Sequence, residues 1–210
     1  GGGGGGGSTD TAAVALASIK AAAENNTATS GNLSADVFKA AGVTGVDSTN
    51  LAAIQSALDS AAVNGNAADT KEEVQAIVDA YNAIKANADG IANNNATNPT
   101  QAQYAAIGVT GVDTATEESL LGDAIDGKPF SAVDTVAEVQ ILANAASAVM
   151  TGAAGGTAPT KAQLEALGIT GVTDANLSAI QAAIAATPDD GTGVDTLSEL
   201  QAVANTGATN

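Results

Sequence analysis

The pentapeptide GVTGV occupies residues 42–46 and 108–112, and it returns as GITGV at residues 168–172. The three occurrences are 66 and then 60 residues apart, and the sequence on both sides of each one aligns with the other two. A period in this range is typical of a tandem array in which every unit is one small supersecondary motif. The aligned segments, called copies 1, 2 and 3 below, span residues 33–78, 99–143 and 159–204.

Helical periodicity runs through all three copies. In copy 3, for example, Leu177, Ile180 and Ile184 recur at the spacing of one helical face, without the alternation that predicts a strand. Each copy shows three such stretches: a short one before the pentapeptide, a second one after it, and a third one at the end of the copy. The sequence therefore predicts an all-α fold, a tandem array of three small three-helix-bundle modules with an extra N-terminal helix.

Recurring caps and glycines mark the boundaries of these helices. A Thr-x-x-Glu capping box, in which the two side chains satisfy each other's main-chain amides, starts the third stretch of every copy. A glycine at the end of the first stretch predicts a helix that stops in the left-handed conformation. The predicted caps are Thr70, Glu73, Thr135, Glu138, Thr196 and Glu199, and the predicted turn glycines are Gly42, Gly45, Gly108, Gly111, Gly168 and Gly171.

The repeated pentapeptide has two interpretations, a phosphate-binding loop and a structural turn. A phosphate loop needs a preceding strand and a helix that starts directly after the glycines, and a P-loop also needs a lysine. None of the three copies provides these features. We therefore interpret the pentapeptide as the turn between the first and second helices, with its valines closing the end of the bundle.

Composition argues against several classes of function. The chain of 210 residues has 23 acidic residues against 6 lysines, and its formal net charge is −17. We therefore expect no nucleic-acid partner. Histidine and cysteine are absent, which removes the usual general base near neutral pH and the thiol nucleophile. No apolar run is long enough to span a membrane. These features predict a protein that is not an enzyme and has no cofactor.

An acidic loop in copy 3 raises the question of a metal site. TPDDGTGVD at residues 187–195 gathers Asp189, Asp190 and Asp195 around two glycines, and calcium prefers clustered oxygen ligands on a bent loop. The alternating ligands and distal Glu of an EF-hand are missing, however. We favour a capping and turn role for these residues and keep weak calcium binding as the alternative.

The pattern of each copy resembles that of two related groups of proteins. A short helix ending in A-A-G-V-T or A-L-G-I-T, then N-L-x-A-I-Q-x-A and T-x-x-E-V-Q-A-I-V, is similar to the three-helix repeats of large adhesin-type bacterial surface proteins. It also resembles the albumin-binding three-helix modules of Gram-positive surface proteins. The resemblance covers residues 33–95, 99–150 and 159–205, and it implies up-down three-helix bundles and an extracellular setting. It does not extend to albumin binding, because Asn50, Ala53 and Ala179 stand where the albumin modules have bulky residues.

The beginning of the chain resembles the tether that follows the lipid-bearing cysteine of bacterial lipoproteins. GGGGGGGSTD would then be preceded by a lipid anchor upstream of Gly1, and a plain flexible linker is the alternative. The predicted division of the chain is a Gly-rich tether at 1–9, a lead-in helix plus first module at 10–95, a second module at 96–156, and a third module with a truncated last helix at 157–210.

These features predict a structural protein of the bacterial cell surface or extracellular matrix. It would be a subunit of a fibre, a filament or an adhesin stalk, and it would form a homo-oligomer or polymer through head-to-tail contacts of its termini and Ala-rich faces. The alternative is a surface-displayed helical module that captures a host or matrix protein.

Overall fold

The structure, a computed structural model, describes residues 3–30, 33–94 and 97–209, and for residues 3–10 it describes the backbone alone. This part of the chain is helical without any strand, so the predicted all-α class is confirmed. Its ten α-helices are α1 Gly3–Asn25, α2 Ala35–Ala40, α3 Leu51–Leu58, α4 Lys71–Asn87, α5 Gln101–Ala106, α6 Ala115–Asp126, α7 Val136–Ala153, α8 Lys161–Leu167, α9 Leu177–Ala185 and α10 Leu197–Ala208. None of the helices in these ranges is long and apolar enough to cross a membrane.

Helix α1 differs from the sequence prediction at its N-terminal end. The glycine run was expected to be a tether over residues 1–9, whereas the helix already begins at Gly3. Extending a helix by one glycine costs about 1 kcal/mol relative to alanine, which is far less than the cost of nucleating a new helix. The glycines therefore extend a helix that the Ala-rich stretch after Asp10 already nucleates, and each glycine adds its own cost. Residues 1 and 2 of the predicted tether lie outside the described residues.

The chain forms two compact units. Unit 1 comprises Gly1–Lys85, Ala102–Val109 and Asp134–Val136, and unit 2 comprises Ala86–Gln101, Thr110–Val133 and Ala137–Asn210. The predicted module boundary at residues 95 and 96 lies outside the described residues, and the three-module division stays a prediction.

The core of each unit is built from aliphatic side chains, and the buried aromatic residues Phe38, Tyr81 and Tyr104 all belong to unit 1. In unit 1, Ile19 of α1, Ile54 of α3 and Val78 of α4 are fully buried. In unit 2, Leu120 and Ile180 are at most 1% exposed. Many of the remaining buried residues are alanines, whose small side chains allow helices to approach each other closely.

A polar contact attaches α1 to the region that follows α3. Residues 65–67 form one turn of 3-10 helix there, and the Gly65 amide donates to Glu24 Oε2 at 2.8 Å. Lys20 lies one turn before Glu24 and forms an ion pair with Asp69 at 3.8 Å. The buried Ile19 lies next to this polar face, so α1 is an integral part of unit 1.

Candidate functional site

Each repeated pentapeptide lies between the first and second helices of its copy. In copy 3, Gly168 follows α8 with a φ of 105°, in the left-handed region. The Gly168 amide donates to the Glu165 carbonyl at 3.0 Å, and the Ile169 amide donates to the Leu164 carbonyl at 3.0 Å. This pair of bonds is a Schellman motif, which satisfies the last carbonyls of a helix. The same pair recurs at Gly42 and Val43 and at Gly108 and Val109, with φ of 83° and 90° at the two glycines.

A buried pair of apolar side chains accompanies each Schellman motif. In copy 3 the pair is Leu164 and Ile169, which occupy the two positions whose contact is common in this motif. The equivalent pairs are Phe38 with Val43 and Tyr104 with Val109, and all six side chains are at most 3% exposed. The two aromatic residues of the first helices therefore belong to the core, and they do not form a ligand platform.

The second glycine of the pentapeptide is also left-handed in every copy, with φ of 92° at Gly45, 87° at Gly111 and 81° at Gly171. In copies 1 and 3 an asparagine at the start of the second helix holds this glycine. Asn50 Nδ2 donates to the Gly45 carbonyl at 2.7 Å, and Asn176 Nδ2 donates to the Gly171 carbonyl at 2.8 Å. The asparagine thereby fixes the direction in which the chain enters the second helix.

The threonine in the middle of the pentapeptide is held by a glutamine of the third helix. In copy 3, the Thr170 amide donates to Gln201 Oε1 at 2.9 Å, and Gln201 Nε2 donates back to the Thr170 carbonyl at 3.0 Å. The glutamine also donates to Asn205 Oδ1 at 2.9 Å, one turn further along α10. The same clamp joins Thr44 to Gln75 and Thr110 to Gln140, with 2.9 Å for each of the four threonine–glutamine bonds.

The sequence pattern alone does not predict this clamp, although a signal for it is present. A glutamine follows the sequence Glu-Val or Glu-Leu in the third helix of every copy. Its recurrence at a partly exposed helix position indicates a role, but the pattern does not name a partner some 30 residues away. The clamp connects the turn to the third helix, so in copies 1 and 3 the pentapeptide links all three helices.

The predicted caps lie at the starts of the third helices. Thr70 Oγ1 accepts from the Glu73 amide at 3.1 Å, and Glu73 Oε1 accepts from the Thr70 amide at 3.1 Å, which makes a reciprocal capping box. Thr196 Oγ1 accepts from the Glu199 amide at 3.1 Å. Thr135 precedes α7, and Glu138 lies in its first turn.

The three aspartates of the acidic loop have separate local roles. Asp190 Oδ1 accepts from the Thr192 amide and hydroxyl at 3.0 and 2.7 Å, and these bonds lower the pKa of Asp190. Partial burial raises the pKa of Asp195, and the neighbouring Glu199 raises it further. Asp189 is exposed. Within residues 3–30, 33–94 and 97–209, no group of three or more acidic side chains is arranged to hold a metal ion.

Consecutive copies are joined by a hydrogen bond that recurs at one repeat position. The amide of Val136, the first residue of α7 in copy 2, donates to Ser56 Oγ on α3 at 2.7 Å. The amide of Leu197, the first residue of α10 in copy 3, donates to Asp123 Oδ2 on α6. Ser56 and Asp123 each lie two residues before the last core residue of the second helix. In copy 3 this position is Ala182, whose side chain has no acceptor.

Two apolar grooves are open on the described surface. One, of about 470 Å³ in unit 1, lies between α1 and α2 and includes Val14 and Val37. The other, of about 350 Å³ in unit 2, lies between α9 and α10 and includes Ala183 and Val203. Neither lining contains a histidine, a cysteine or a convergent pair of acids, so the grooves offer shape and apolar surface without reactive groups.

Comparisons with protein-family models, with curated proteins and with solved structures find no significant match. The functional interpretation therefore rests on the geometry above. The recurring polar side chains bind main-chain groups of the turns and helix ends.

Proposed function

We propose that this chain is a non-enzymatic structural protein of the bacterial cell surface or extracellular matrix. It is a tandem array of three small three-helix-bundle modules, each made of a short first helix, the clamped pentapeptide turn, and two further helices. The chain serves as a subunit of a fibre or filament, or as a section of an adhesin stalk, and assembles through its terminal modules and Ala-rich faces.

The observation that carries this proposal is the recurring bond between consecutive copies. Ser56 and Asp123 stand at one repeat position and accept from equivalent amides, those of Val136 and Leu197. A repeated contact that always runs from one copy to the next is what a stacked array requires, since each unit then makes the same interface with its neighbour. The extracellular setting is supported by the resemblance of the repeat pattern to bacterial surface modules.

A second candidate, capture of a host or matrix protein, is favoured by the two apolar grooves. A helical partner would insert an apolar ridge into one of them, as amphipathic helices do in other grooves. The net charge of −17 would then select a basic partner.

Electron microscopy in negative stain, combined with light scattering over a range of protein concentrations, distinguishes the two candidates. Long regular polymers, or oligomers whose mass grows with concentration, are the expected result for the building block. Monomers at every concentration that bind one member of a panel of purified serum and matrix proteins would overturn the proposal in favour of the binding module.

A further inference from the structure

The groove between α9 and α10 corresponds to surfaces that are covered in the other two copies. Its lining includes Ala183, Val203 and Thr206, which are partly or fully exposed. The residues at the same repeat positions are Ala57, Ile77 and Ala80 in copy 1 and Ala124, Leu142 and Ala145 in copy 2, and all six are at most 4% exposed. Copy 3 therefore leaves open a face that the other copies bury.

In unit 1, the covering element can be identified from its contacts. A Cβ atom placed on Gly108, in the pentapeptide turn of copy 2, would lie 2.9 Å from Ser60 Cβ and 3.3 Å from Val63 Cγ2. Ser60 Oγ also donates to the carbonyl of Ile107, which precedes that glycine, at 3.4 Å. At the junction of copies 1 and 2, the end of a first helix and its turn thus pack against the segment that follows a second helix. The occupant that fits the open face of copy 3 is another first helix with its turn.

We propose that the α9–α10 groove binds the first copy of a second molecule of this chain, with Lys71 of one molecule set against Asp189 of the other. This inference rests on the proposed assembly function and names the two surfaces that carry it. The contact joins different faces of two identical molecules, so it propagates into a polymer unless the rotation closes a ring.

One pair of opposite charges at the two terminal copies supports this partner. The turn of copy 2 lies against Val63, which follows Leu58, the last core residue of α3, by five residues. The residue at the same repeat position in copy 3 is Asp189. On the opposing side, the third helix starts with Val136 in copy 2 and Leu197 in copy 3, but with Lys71 in copy 1. Apolar residues at both positions of the internal contact are therefore replaced by opposite charges at the two ends of the array.

The geometry of the turn places these charges close together. A Cβ atom placed on Gly42 would lie 3.3 Å from Lys71 Cε, and one placed on Gly108 would lie 3.3 Å from Val63 Cγ2. When the turn of copy 1 docks on copy 3 as the turn of copy 2 docks on copy 1, Lys71 and Asp189 lie on either side of Gly42. Both Lys71 and Asp189 are exposed in the single chain, so neither must leave a buried environment to form the pair.

In the proposed complex, part of helix α1 of the second molecule would overlap with helix α10 of the first molecule. The C-terminal end of α1 has the same geometry as that of α7. Asn26 is left-handed after α1, and the Thr27 amide donates to the Ala22 carbonyl at 3.0 Å. Gly155 is left-handed after α7, and the Gly156 amide donates to the Thr151 carbonyl at 2.9 Å. Between Thr11 and Ser18, Ala15 is the only buried residue of α1. The turns of α1 from Thr11 to Ser18 can therefore move aside with the loss of one buried side chain.

Sedimentation velocity on the full-length chain and four sets of variants tests the docking. Asp189→Lys and Lys71→Glu alone should each weaken association about tenfold, and the double variant should restore it, because the charges are exchanged across the same contact. Asp174→Lys, which makes the same charge change at an exposed site of copy 3 away from the groove, should leave association unchanged. Equal weakening by Asp189→Lys and Asp174→Lys, or a double variant no better than either single one, would overturn the proposed pairing.

Two further variants predict stronger association. Ala182→Ser restores the acceptor that Ser56 and Asp123 supply inside the chain, and one added hydrogen bond should tighten binding about three- to tenfold. Ala13→Gly combined with Ala17→Gly loosens the first turns of α1 and should also tighten binding, whereas a loss would identify these turns as part of the interface and contradict the model. If the wild-type chain polymerises but none of these variants alters it, the surfaces are wrong and the assembly function stands. If the wild type and Ala182→Ser both stay monomeric, the assembly function itself fails.

Discussion

The pentapeptide turns and the linkers between the second and third helices differ in how closely the three copies agree. The turns keep the same glycines, threonine and clamping glutamine in all three copies. The linkers run from residue 59 to 70, from 127 to 135 and from 186 to 196, so they differ in length as well as in sequence. In the turns, the glutamine side chains bind main-chain groups about 30 residues away in every copy. In the linkers, Asn64 and Asp190 bind amides two or three residues away, and the long-range bonds of Ser60 and Gly65 belong to copy 1. The glutamine clamp is therefore a long-range bond that recurs in all three copies.

The largest expected effect comes from placing a side chain on the first glycine of a turn. Gly108→Ala would combine a φ of 90° with a Cβ only 2.9 Å from Ser60 Cβ, and should lower the free energy of unfolding by about 3 kcal/mol. Gly111→Ala is the matched control, because its φ is 87° but nothing lies within 4 Å of the new Cβ, so it should cost about 1 kcal/mol. Urea unfolding followed by circular dichroism measures both losses. Equal losses would show that the backbone conformation alone matters and that the packing of Ser60 does not.

The glutamine clamp and a linker cap give the next largest difference. Gln75→Ala removes two bonds of 2.9 Å to Thr44 and should cost about 1–2 kcal/mol. Asn64→Ala removes the cap of a single 3-10 turn, at 2.9 Å from the Asn66 amide, and should cost about 0.5 kcal/mol. The same unfolding experiment measures both variants. A larger loss for Asn64→Ala would contradict the distinction between the turns and the linkers.

Within the acidic linker, two aspartates should respond to pH in opposite directions. The pKa of Asp195 is raised above its usual value of 3.8 by partial burial and by Glu199, so the ionised form is unfavourable in the folded state near neutral pH. Asp195→Asn should therefore raise the melting temperature at pH 7, and the gain should disappear as the pH falls below the usual aspartate pKa.

The pKa of Asp190 is lowered by its bonds from Thr192, so its ionised form stabilises the fold above the usual aspartate pKa. Asp190→Asn should lower the melting temperature at pH 7 and have less effect as the pH falls through the lowered pKa. Thermal melts of both variants between pH 3 and pH 7 test the two signs. A shift in the same direction for both at neutral pH would contradict the assignment.

The smallest expected effect concerns calcium. Because no three acidic side chains of the described residues are arranged around a common point, millimolar calcium should leave the melting temperature of the chain unchanged relative to a chelator. A rise that Asp189→Asn abolishes would instead establish the acidic linker as a calcium site.

Sequence reasoning succeeds where one residue type satisfies one local requirement. The left-handed glycines follow from their place at the end of a short helix, and the Thr-x-x-Glu caps follow from their spacing. It does not find the partner of Gln75 or Ser56, because each bonds a main-chain group far away in sequence. It also places the start of α1 too late, because propensity describes the glycines but not the helix that already adjoins them.

The contact between copies has a direction along the chain, and this bears on synthesis. The acceptor always precedes its donor: Ser56 comes before Val136, and Asp123 comes before Leu197. A chain that emerges from the ribosome N-terminus first therefore presents each finished copy as the template against which the next one closes. Ribosome-bound chains that stop after copy 1 should already resist proteolysis in α3. A variant in which the order of the three copies is reversed would lack this folded template.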